Sequence, residues 1–315
     1  YQDLDEMEDA IASGKADLIS MARGWLADPN LGTKAYEGRG EDVVPCVKCM
    51  RCHDSACIDG ITFVCTVNPV MGIEHVLDQI DKPPVRQKKV AVVGGGPAGM
   101  QAALTAAHRG HQVTLFEEKD VLGGQLNFAD YAQFKHSLAK YKDWLIYQLG
   151  KSSVEVALGV SATRDMLVKG NYDAVIAAVG ASPLILPSPG AEMAVPAPQV
   201  YGQEDSLARS VVVIGGGQVG CETALHLVEQ GHDVTVLEMQ EKILADASAS
   251  YRNRLTRNMG YHDNLSTVTG GRCTGITAAR VTYVDQEGQE HLLPCESVVM
   301  AAGMRPRREA ANDLY

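Results

Sequence analysis

Five of the eight cysteines lie in one short segment, between residues 46 and 65. Four of them follow the spacing Cys46-x2-Cys49-x2-Cys52-x12-Cys65. Thiolates are soft ligands, and four together suit either an iron–sulfur cube or a tetrahedral zinc ion. A ferredoxin run would need its fourth cysteine at position 56, but that residue is Ala56, and Cys57 comes one step too late. The spacing therefore predicts a metal centre on Cys46, Cys49, Cys52 and Cys65, with Cys57 free.

A glycine-rich turn follows this segment. Gly94, Gly96 and Gly99 have G-x-G-x-x-G spacing between an apolar strand and a helix, and a second strand ends at Glu117, 23 residues after Gly94. Gly94 permits a tight turn, Gly96 lets the backbone approach a pyrophosphate, and Gly99 lets the helix pack closely on the strand. The helix N-terminus can then bind the anion, and the acid can accept hydrogen bonds from ribose hydroxyls. These features predict a dinucleotide site.

The same unit occurs again 121 residues later, because residues 89–118 and 210–239 superimpose without a gap. The second copy repeats the glycines and the acid as Gly215, Gly217, Gly220 and Glu238. Each copy reads as strand, glycine-rich turn, helix ending at Gly-His, and strand, which is the opening βαβ unit of a dinucleotide-binding domain. The chain therefore predicts two nested nucleotide sites.

Glu238 indicates which nicotinamide nucleotide the second site prefers. A carboxylate there accepts hydrogen bonds from both ribose hydroxyls of NADH, whereas the 2′-phosphate of NADPH would lie against its charge. Residues 239–241, Met-Gln-Glu, supply no cation to offset that charge. We therefore expect NADH rather than NADPH. In the alternative, Glu238 points to solvent and Lys242 reaches the phosphate.

The elements that position these residues indicate an α/β fold. DLDEMEDAIASG predicts an amphipathic helix stopped by Gly14, and ADLISMAR at 16–23 predicts a short buried strand. The polar stretch 78–89, with its Pro pair, predicts a linker. Further strands are expected at 154–160, 172–180, 281–285 and 297–303.

Composition excludes several classes of protein. The chain has 315 residues and a net charge of −11, with no Lys/Arg-rich run, which argues against nucleic-acid and anionic-membrane binding. The sequence contains no apolar run of ~18 residues, the length needed to span a bilayer, and its first residues do not resemble a signal peptide. We expect a cytoplasmic protein, and a homo-oligomer stays open.

The motifs also carry a family resemblance. The two turns, with LGGQL at 122–126, resemble the glutathione-reductase-type flavoproteins, which bind FAD in the first site and a nicotinamide nucleotide in the second. The order ADLISMARGWLADPNL, cysteine segment with CTVNP, GGGPAGM and LGGQL closely resembles the C-terminal half of one family. It comprises the iron–sulfur flavoenzymes with an old-yellow-enzyme barrel, such as 2,4-dienoyl-CoA reductase, 2-enoate reductase and trimethylamine dehydrogenase.

The resemblance implies a site for each cofactor. The ligands of the family's [4Fe–4S] cluster map onto Cys46, Cys49, Cys52 and Cys65. The family grips the FMN phosphate at the end of its last barrel strand, which maps onto Ala22 and Arg23; taken alone, such an Arg is more often a surface ion-pair residue. The family's FAD contacts map onto Ala98, Glu117, Gln125 and the backbone near Val160.

The resemblance also implies the domain order. In this order, residues 1–45 are the C-terminal end of an FMN-binding (β/α)8 barrel, residues 46–78 hold the cluster, and residues 79–88 form a linker. Residues 89–205 are the first part of the FAD domain, and residues 206–305 form the NAD(P)H domain. Residues 306–315 return to the FAD domain, which is truncated in this sequence. Most of the barrel would lie outside this sequence, with the residues that bind and protonate substrate. We therefore expect no catalytic acid in this chain.

The leading hypothesis is an NAD(P)H-dependent ene-reductase. Electrons would pass from the nicotinamide to FAD, singly through the cluster, and to FMN, which reduces the activated C=C bond of a small enoate or enoyl thioester. One alternative is an amine dehydrogenase or N-demethylase, in which electrons run the opposite way, from substrate to an external acceptor. The Cys-x2-Cys-x2-Cys spacing resembles that of the amine dehydrogenases. The intact second turn favours the reductase. A second alternative is an electron-transfer subunit without a substrate site.

Overall fold

The computed structural model describes residues 3–77 and 82–315. The chain divides into two compact units. Unit 1 contains the chain up to Gly180 together with Arg307–Tyr315, and unit 2 contains Ala181–Pro306. Within the described ranges, no helix is long and apolar enough to cross a membrane.

The helices and strands are numbered in chain order over the described residues. The helices are α1 (Leu4–Ala12), α2 (Arg23–Ala27), α3 (Leu31–Tyr36), α4 (Arg51–Cys57), α5 (Pro97–His108), α6 (Leu126–Ala129), α7 (His136–Lys151), α8 (Arg164–Lys169), α9 (Gln218–Glu229), α10 (Ala249–Met259) and α11 (Arg308–Asn312). The strands are β1 (Lys89–Val93), β2 (Gln112–Phe116), β3 (Glu155–Ala157), β4 (Ala174–Ala177), β5 (Ala181–Pro183), β6 (Val195–Pro196), β7 (Ser210–Ile214), β8 (Asp233–Leu237), β9 (Leu265–Val268), β10 (Arg272–Thr277), β11 (Arg280–Val284), β12 (Glu290–Pro294), β13 (Ser297–Met300) and β14 (Met304–Pro306).

Unit 1 is built on a parallel sheet with the strand order β3-β2-β1-β4. The near-continuous apolar sequence of β1 suits a central strand buried on both faces, and Val92 and Leu115 are fully buried. Helix α5 starts with Pro97, which is favoured at a first helical position, and it ends just before Gly110, whose φ is +87°. The predicted βαβ unit is therefore confirmed here.

Unit 2 repeats this architecture in a parallel sheet of order β6-β13-β7-β8-β9. Its helix α9 is buried along nearly its whole length, and Gly231, with φ +95°, follows its end. An antiparallel sheet of β10, β11 and β12 and a two-stranded pair of β5 and β14 complete the unit. The strands predicted around 281–285 and 297–303 are confirmed, whereas β10 and β12 were not predicted.

The N-terminal segment departs from the prediction. Helix α1 is confirmed, with Asp3 capping its start and Gly14 at φ +68° after its end. The predicted buried strand at 16–23 is wrong, because residues 16–22 join no sheet, Leu18 is 88% exposed, and Arg23 opens α2. A strand needs neighbouring strands to satisfy its backbone, and this segment has none beside it. The barrel itself is not in this chain, and the assignment of residues 1–45 to the end of one stays a prediction.

The segment before the cysteines is held against α7 through Asp42. The Asp42 carboxylate accepts hydrogen bonds from Lys151 at 2.6 Å and Gln148 at 3.1 Å, and its carbonyl accepts one from the Trp144 indole at 3.2 Å. The hydrogen bond from Lys151 is the largest cause that lowers the pKa of Asp42 to about 2. These contacts fix the chain four residues before Cys46.

Residues 78–81, at the start of the predicted linker stretch, lie outside the described residues. Its described remainder, residues 82–88, contains no helix or strand. Strand β1 then begins at Lys89.

Candidate functional site

Four cysteines line one cavity in unit 1: Cys46, Cys49, Cys52 and Cys65. The first two lie on a loop, Cys52 lies in the first turn of α4, and Cys65 lies on the returning chain. The thiol of Cys49 is 3.1 Å from the Thr66 hydroxyl. Cys57 is exposed at the end of α4 and is not part of the cavity lining. The structure thus brings together the four residues that the spacing singles out.

The loop between these cysteines has an unusual backbone. Lys48 and Met50 have φ values of +56° and +63°, in the left-handed region that side chains rarely adopt. Such conformations cost about 1–3 kcal/mol each and cluster at ligand-binding sites. Successive residues of alternating hand form concave nests of N–H groups, a feature of many iron–sulfur sites. Residues with left-handed backbone therefore flank Cys49 on both sides.

The thiols share one electrostatic environment. Burial is the main cause that raises the pKa of the Cys52 thiol, and the neighbouring charges of Cys46, Cys49 and Cys65 raise it further. Across the described ranges, no three His, Cys, Asp or Glu side chains are arranged to hold a single metal ion. A lone zinc needs its sulfur ligands about 2.3 Å away. Four thiols that line one cavity are the donor set that either an iron–sulfur cluster or a zinc ion would take.

Arg23 lies between this cavity and a second one. Its guanidinium donates to the Met50 thioether at 3.3 Å, and the residue lines the cysteine cavity. It also lines a polar cavity of about 280 Å³ together with Lys48, His136 and Lys140. Ala22, the other residue expected to grip FMN, is exposed. The cations could neutralise a phosphate, although the acids Asp3 and Glu6 share this cavity.

The first glycine turn has the positive φ angle and the close packing that its sequence predicts. Gly94 has φ +112°, and a Cβ there would collide with the Ala178 carbonyl. A Cβ on Gly99 would collide with the Gly94 carbonyl, whereas one on Gly96 would meet only the Cα of Gly124, at 3.9 Å. The space before Gly96 is therefore open to an approaching ligand, at the N-terminus of α5, which includes Ala98.

Glu117 fastens the end of β2 to this turn. Its carboxylate, 7% exposed, accepts hydrogen bonds from the backbone N–H of Gly95 at 2.6 Å and of Lys119 at 2.9 Å. Its carbonyl accepts one from Val160 N–H at 2.9 Å. Gln125 directly precedes α6, next to Gly124. The residues expected to contact FAD thus converge at the carboxyl edge of the sheet.

The second turn opens onto a pocket of about 550 Å³ in unit 2. Gly215, Gly217 and Glu238 line it, and a Cβ on Gly220 would collide with the Gly215 carbonyl. This volume lies in the usual range for small-molecule sites, about 300–1,000 Å³. Since Glu238 is 7% exposed and hydrogen-bonded, the alternative in which it points to solvent does not match the structure.

Three further charged residues line this pocket: Lys242, Asp246 and Arg272. Arg272 begins β10, and the adjacent Gly271 N–H donates to the Glu238 carbonyl at 3.0 Å. Sequence reasoning missed Arg272 because nothing local links it to Glu238, 34 residues earlier. Asp246 accepts a hydrogen bond from Gln218 N–H at 3.0 Å. The pocket therefore has cations that residues 239–241 do not supply.

The chain is similar to known oxidoreductases. A family model described as pyridine nucleotide-disulphide oxidoreductase matches residues 88–315. An NADH oxidase from Thermoanaerobacter brockii is 40% identical over 95% of this chain and 47% of its own length. A bilirubin reductase from Mediterraneibacter gnavus is 37% identical over 95% of this chain and 46% of its own. The chain thus spans about half the length of these relatives.

A solved structure shares the architecture. The complex of 2-naphthoyl-CoA reductase with 2-naphthoyl-CoA superimposes with a TM-score of 0.93 at 30% sequence identity. The match covers 99% of this chain and 47% of that one.

Proposed function

We propose that this chain, which belongs to the pyridine nucleotide-disulphide oxidoreductase family, passes electrons from a nicotinamide nucleotide, through FAD and a [4Fe–4S] cluster, to FMN. It corresponds to the C-terminal half of enzymes of the 2-enoate reductase type. In the whole protein, this route serves reduction of an activated C=C bond in an enoate or enoyl thioester. The chain is the electron-supply half of such a reductase.

One observation carries the proposal, namely the four-cysteine cavity in a chain that also has two glycine-turn sites. In unit 1 the chain before Cys46 is fixed to α7 through Asp42, and α7 packs with α5 of the first βαβ unit. A redox-silent zinc would contribute nothing to electron transfer next to flavin and nicotinamide sites. The cavity therefore has a role in the proposed route only if it holds a redox cluster.

The roles of the residues follow from their surroundings. When bound, the cluster supplies one-electron chemistry and the flavins exchange electrons singly or in pairs. The four cysteine thiolates would ligate the iron, and the N–H groups around Lys48 and Met50 would offset the negative charge. Glu117 and Glu238 are each fixed by two backbone N–H groups. Carboxylate oxygens have further lone pairs, which are left for ribose hydroxyls.

The second site bears on the direction of electron flow. The turn at Gly215–Gly220 is intact and opens on a pocket of adequate size, so a nicotinamide nucleotide can serve as the electron donor. An amine dehydrogenase that delivers electrons to an external acceptor would not need this site. Two relatives whose names describe an NADH oxidase and a bilirubin reductase further support a reductase.

Product analysis under anaerobic conditions tests the proposal. The whole protein is incubated with NADH and either cinnamate or crotonyl-CoA, and saturated products are measured by mass spectrometry. In a parallel reaction without NADH, dimethylamine is added and flavin absorbance is followed. Consumption of NADH with formation of a saturated product supports the reductase. Flavin bleaching by the amine, without NADH-dependent reduction of either alkene, would overturn it.

A further inference from the structure

The two repeats can be compared position by position, because residues 121 apart are equivalent. After the second strand of each repeat, the chain returns to the glycine turn and donates one backbone hydrogen bond. Gly123 N–H donates to the Gly95 carbonyl at 3.0 Å, and its equivalent Leu244 donates to the Gly216 carbonyl at 2.6 Å. Leu244 is fully buried and has φ +57°, in the left-handed region where the first repeat has glycine. Both loops are thus fixed on their turns in the same way.

The repeats differ two residues later, where Gln125 of the first corresponds to Asp246 of the second. In the first repeat, the nearest neighbour of a Cβ on Gly96 would be the backbone of Gly124. In the second, a Cβ on Gly217 would lie 3.2 Å from a carboxylate oxygen of Asp246. The two oxygens of that carboxylate lie 3.0 and 3.3 Å from Gln218 N, which begins α9.

The position of this carboxylate matters because α9 starts at the glycine turn. The first N–H groups of a helix, with the positive end of its dipole, form the pyrophosphate site of such domains. Asp246 already satisfies one of those donors with a negative charge. The pKa of the Cys221 thiol, one turn into α9, shows that acidic side chains surround this end of the helix. Burial, and then the charges of Asp246, Glu238 and Glu222, raise the pKa of that thiol to about 12.

We propose that Asp246 is an internal competitor for the pyrophosphate of the nucleotide. Its carboxylate occupies the N-terminus of α9 when the pocket is empty, and a dinucleotide must displace it to bind. The inference rests on the proposed function, since it takes the ligand of this pocket to be a nicotinamide dinucleotide. It explains how two equivalent turns serve different purposes. The first retains its cofactor beside Gln125, and the second releases its nucleotide after each turnover.

The test is the dissociation constant of NADH and of ADP-ribose, measured by calorimetry on the purified protein with its flavin in place. Asp246→Asn removes the charge and keeps a side-chain oxygen that can accept the hydrogen bond from Gln218 N–H. We expect the Asn variant to bind both ligands about tenfold more tightly, equivalent to about 1.4 kcal/mol, with an unchanged melting temperature. Asp246→Ala removes the cap as well, so it should melt earlier and still bind more tightly than wild type.

Glu229→Gln is the matched control. It removes one negative charge at the opposite end of α9, where Glu229 is exposed, so it should leave both dissociation constants unchanged. Wild-type affinity in the Asn variant would overturn the inference and leave Asp246 as a helix cap only. Weaker binding would overturn it too, because Asp246 would then contact the ligand favourably. If neither wild type nor any variant binds either ligand, the proposed nucleotide site itself is wrong and the inference falls with it.

Discussion

The carboxylate of Glu238 accepts a hydrogen bond from the backbone N–H of Gly216 at 2.6 Å. This contact ties the end of β8 to the glycine turn that precedes α9, and it aims an acidic group into the nucleotide pocket. Glu238, which the sequence singles out because it follows a strand, thus also stabilises the glycine turn. Glu238→Ala would therefore remove both the charge and this contact.

The first prediction is a preference for NADH over NADPH. A 2′-phosphate against Glu238 would cost on the order of 1–4 kcal/mol, which is roughly ten- to a thousandfold in affinity. Glu238→Gln removes the charge and keeps one of the two acceptor oxygens, and it should reduce this preference at least tenfold in kcat/KM for flavin reduction. Glu238→Ala should do the same but also lower the melting temperature, since the bond to Gly216 is lost.

Arg272 and Lys242 provide the competing account of nucleotide choice. If the wild type prefers NADPH and Arg272→Gln abolishes that preference, the cation on β10 governs specificity and the carboxylate account is wrong. Lys242→Gln examines the other cation in the same way. An unchanged NADH/NADPH ratio in Glu238→Gln would equally contradict the prediction.

The second prediction concerns iron and acid-labile sulfide in protein purified without oxygen. We expect substitution of Cys46, Cys49, Cys52 or Cys65 by Ser to abolish a [4Fe–4S] cluster, because a cube needs all four thiolates. Cys57→Ser is the internal control and should retain full iron and sulfide, since Cys57 is exposed outside the cavity. Cluster loss in Cys57→Ser with retention in Cys65→Ser would contradict the assignment, and zinc without sulfide would remove the redox role.

The third prediction is that FMN binding by the whole protein requires Arg23. Arg23→Ala should lower FMN content severalfold and leave FAD near one per chain, because the guanidinium lines the polar cavity beside the cysteines. Arg51→Ala is the control, since Arg51 pairs with Asp59 on the exposed surface. Flavins released by acid are counted by chromatography. Equal loss of FMN and FAD in Arg23→Ala would instead make Arg23 a structural residue.

The fourth prediction is a pH dependence of stability from Asp42. Its folded pKa of about 2 lies below its ordinary value of 3.8, so its ionised form stabilises the fold above pH 3.8 and that contribution is lost as pH falls towards 2. Asp42→Asn should therefore lower the melting temperature at pH 7, and its difference from wild type should shrink below pH 4. Asp59→Asn, on the exposed surface, should show little effect. A difference for Asp42→Asn that is constant with pH would contradict the assigned cause.

The sequence predicted best the features that local chemistry dictates. Gly94 and Gly215 were recognisable because only glycine suits such positive φ angles beside another backbone, and the apolar runs of β1 and β7 identify central strands. Contacts distant in sequence were not recognisable, among them Lys151 with Asp42, and Arg272 near Glu238. Residues 16–23 were misread because an apolar run predicts a strand only where partner strands exist to pair with it. Asp246 has no motif of its own, and only comparison of the two repeats reveals its position.

The most direct test of the electron route is rapid mixing of NADH with the anaerobic protein, in wild type and in Cys65→Ser. Flavin absorbance and the electron paramagnetic resonance of frozen samples are followed together. We expect NADH to reduce FAD, then the cluster, then FMN in wild type, whereas in Cys65→Ser it reduces FAD at the same rate and leaves FMN oxidised. Reduction of FMN at the wild-type rate in the cluster-free variant, or failure of NADH to reduce a flavin that dithionite reduces, would contradict this expectation.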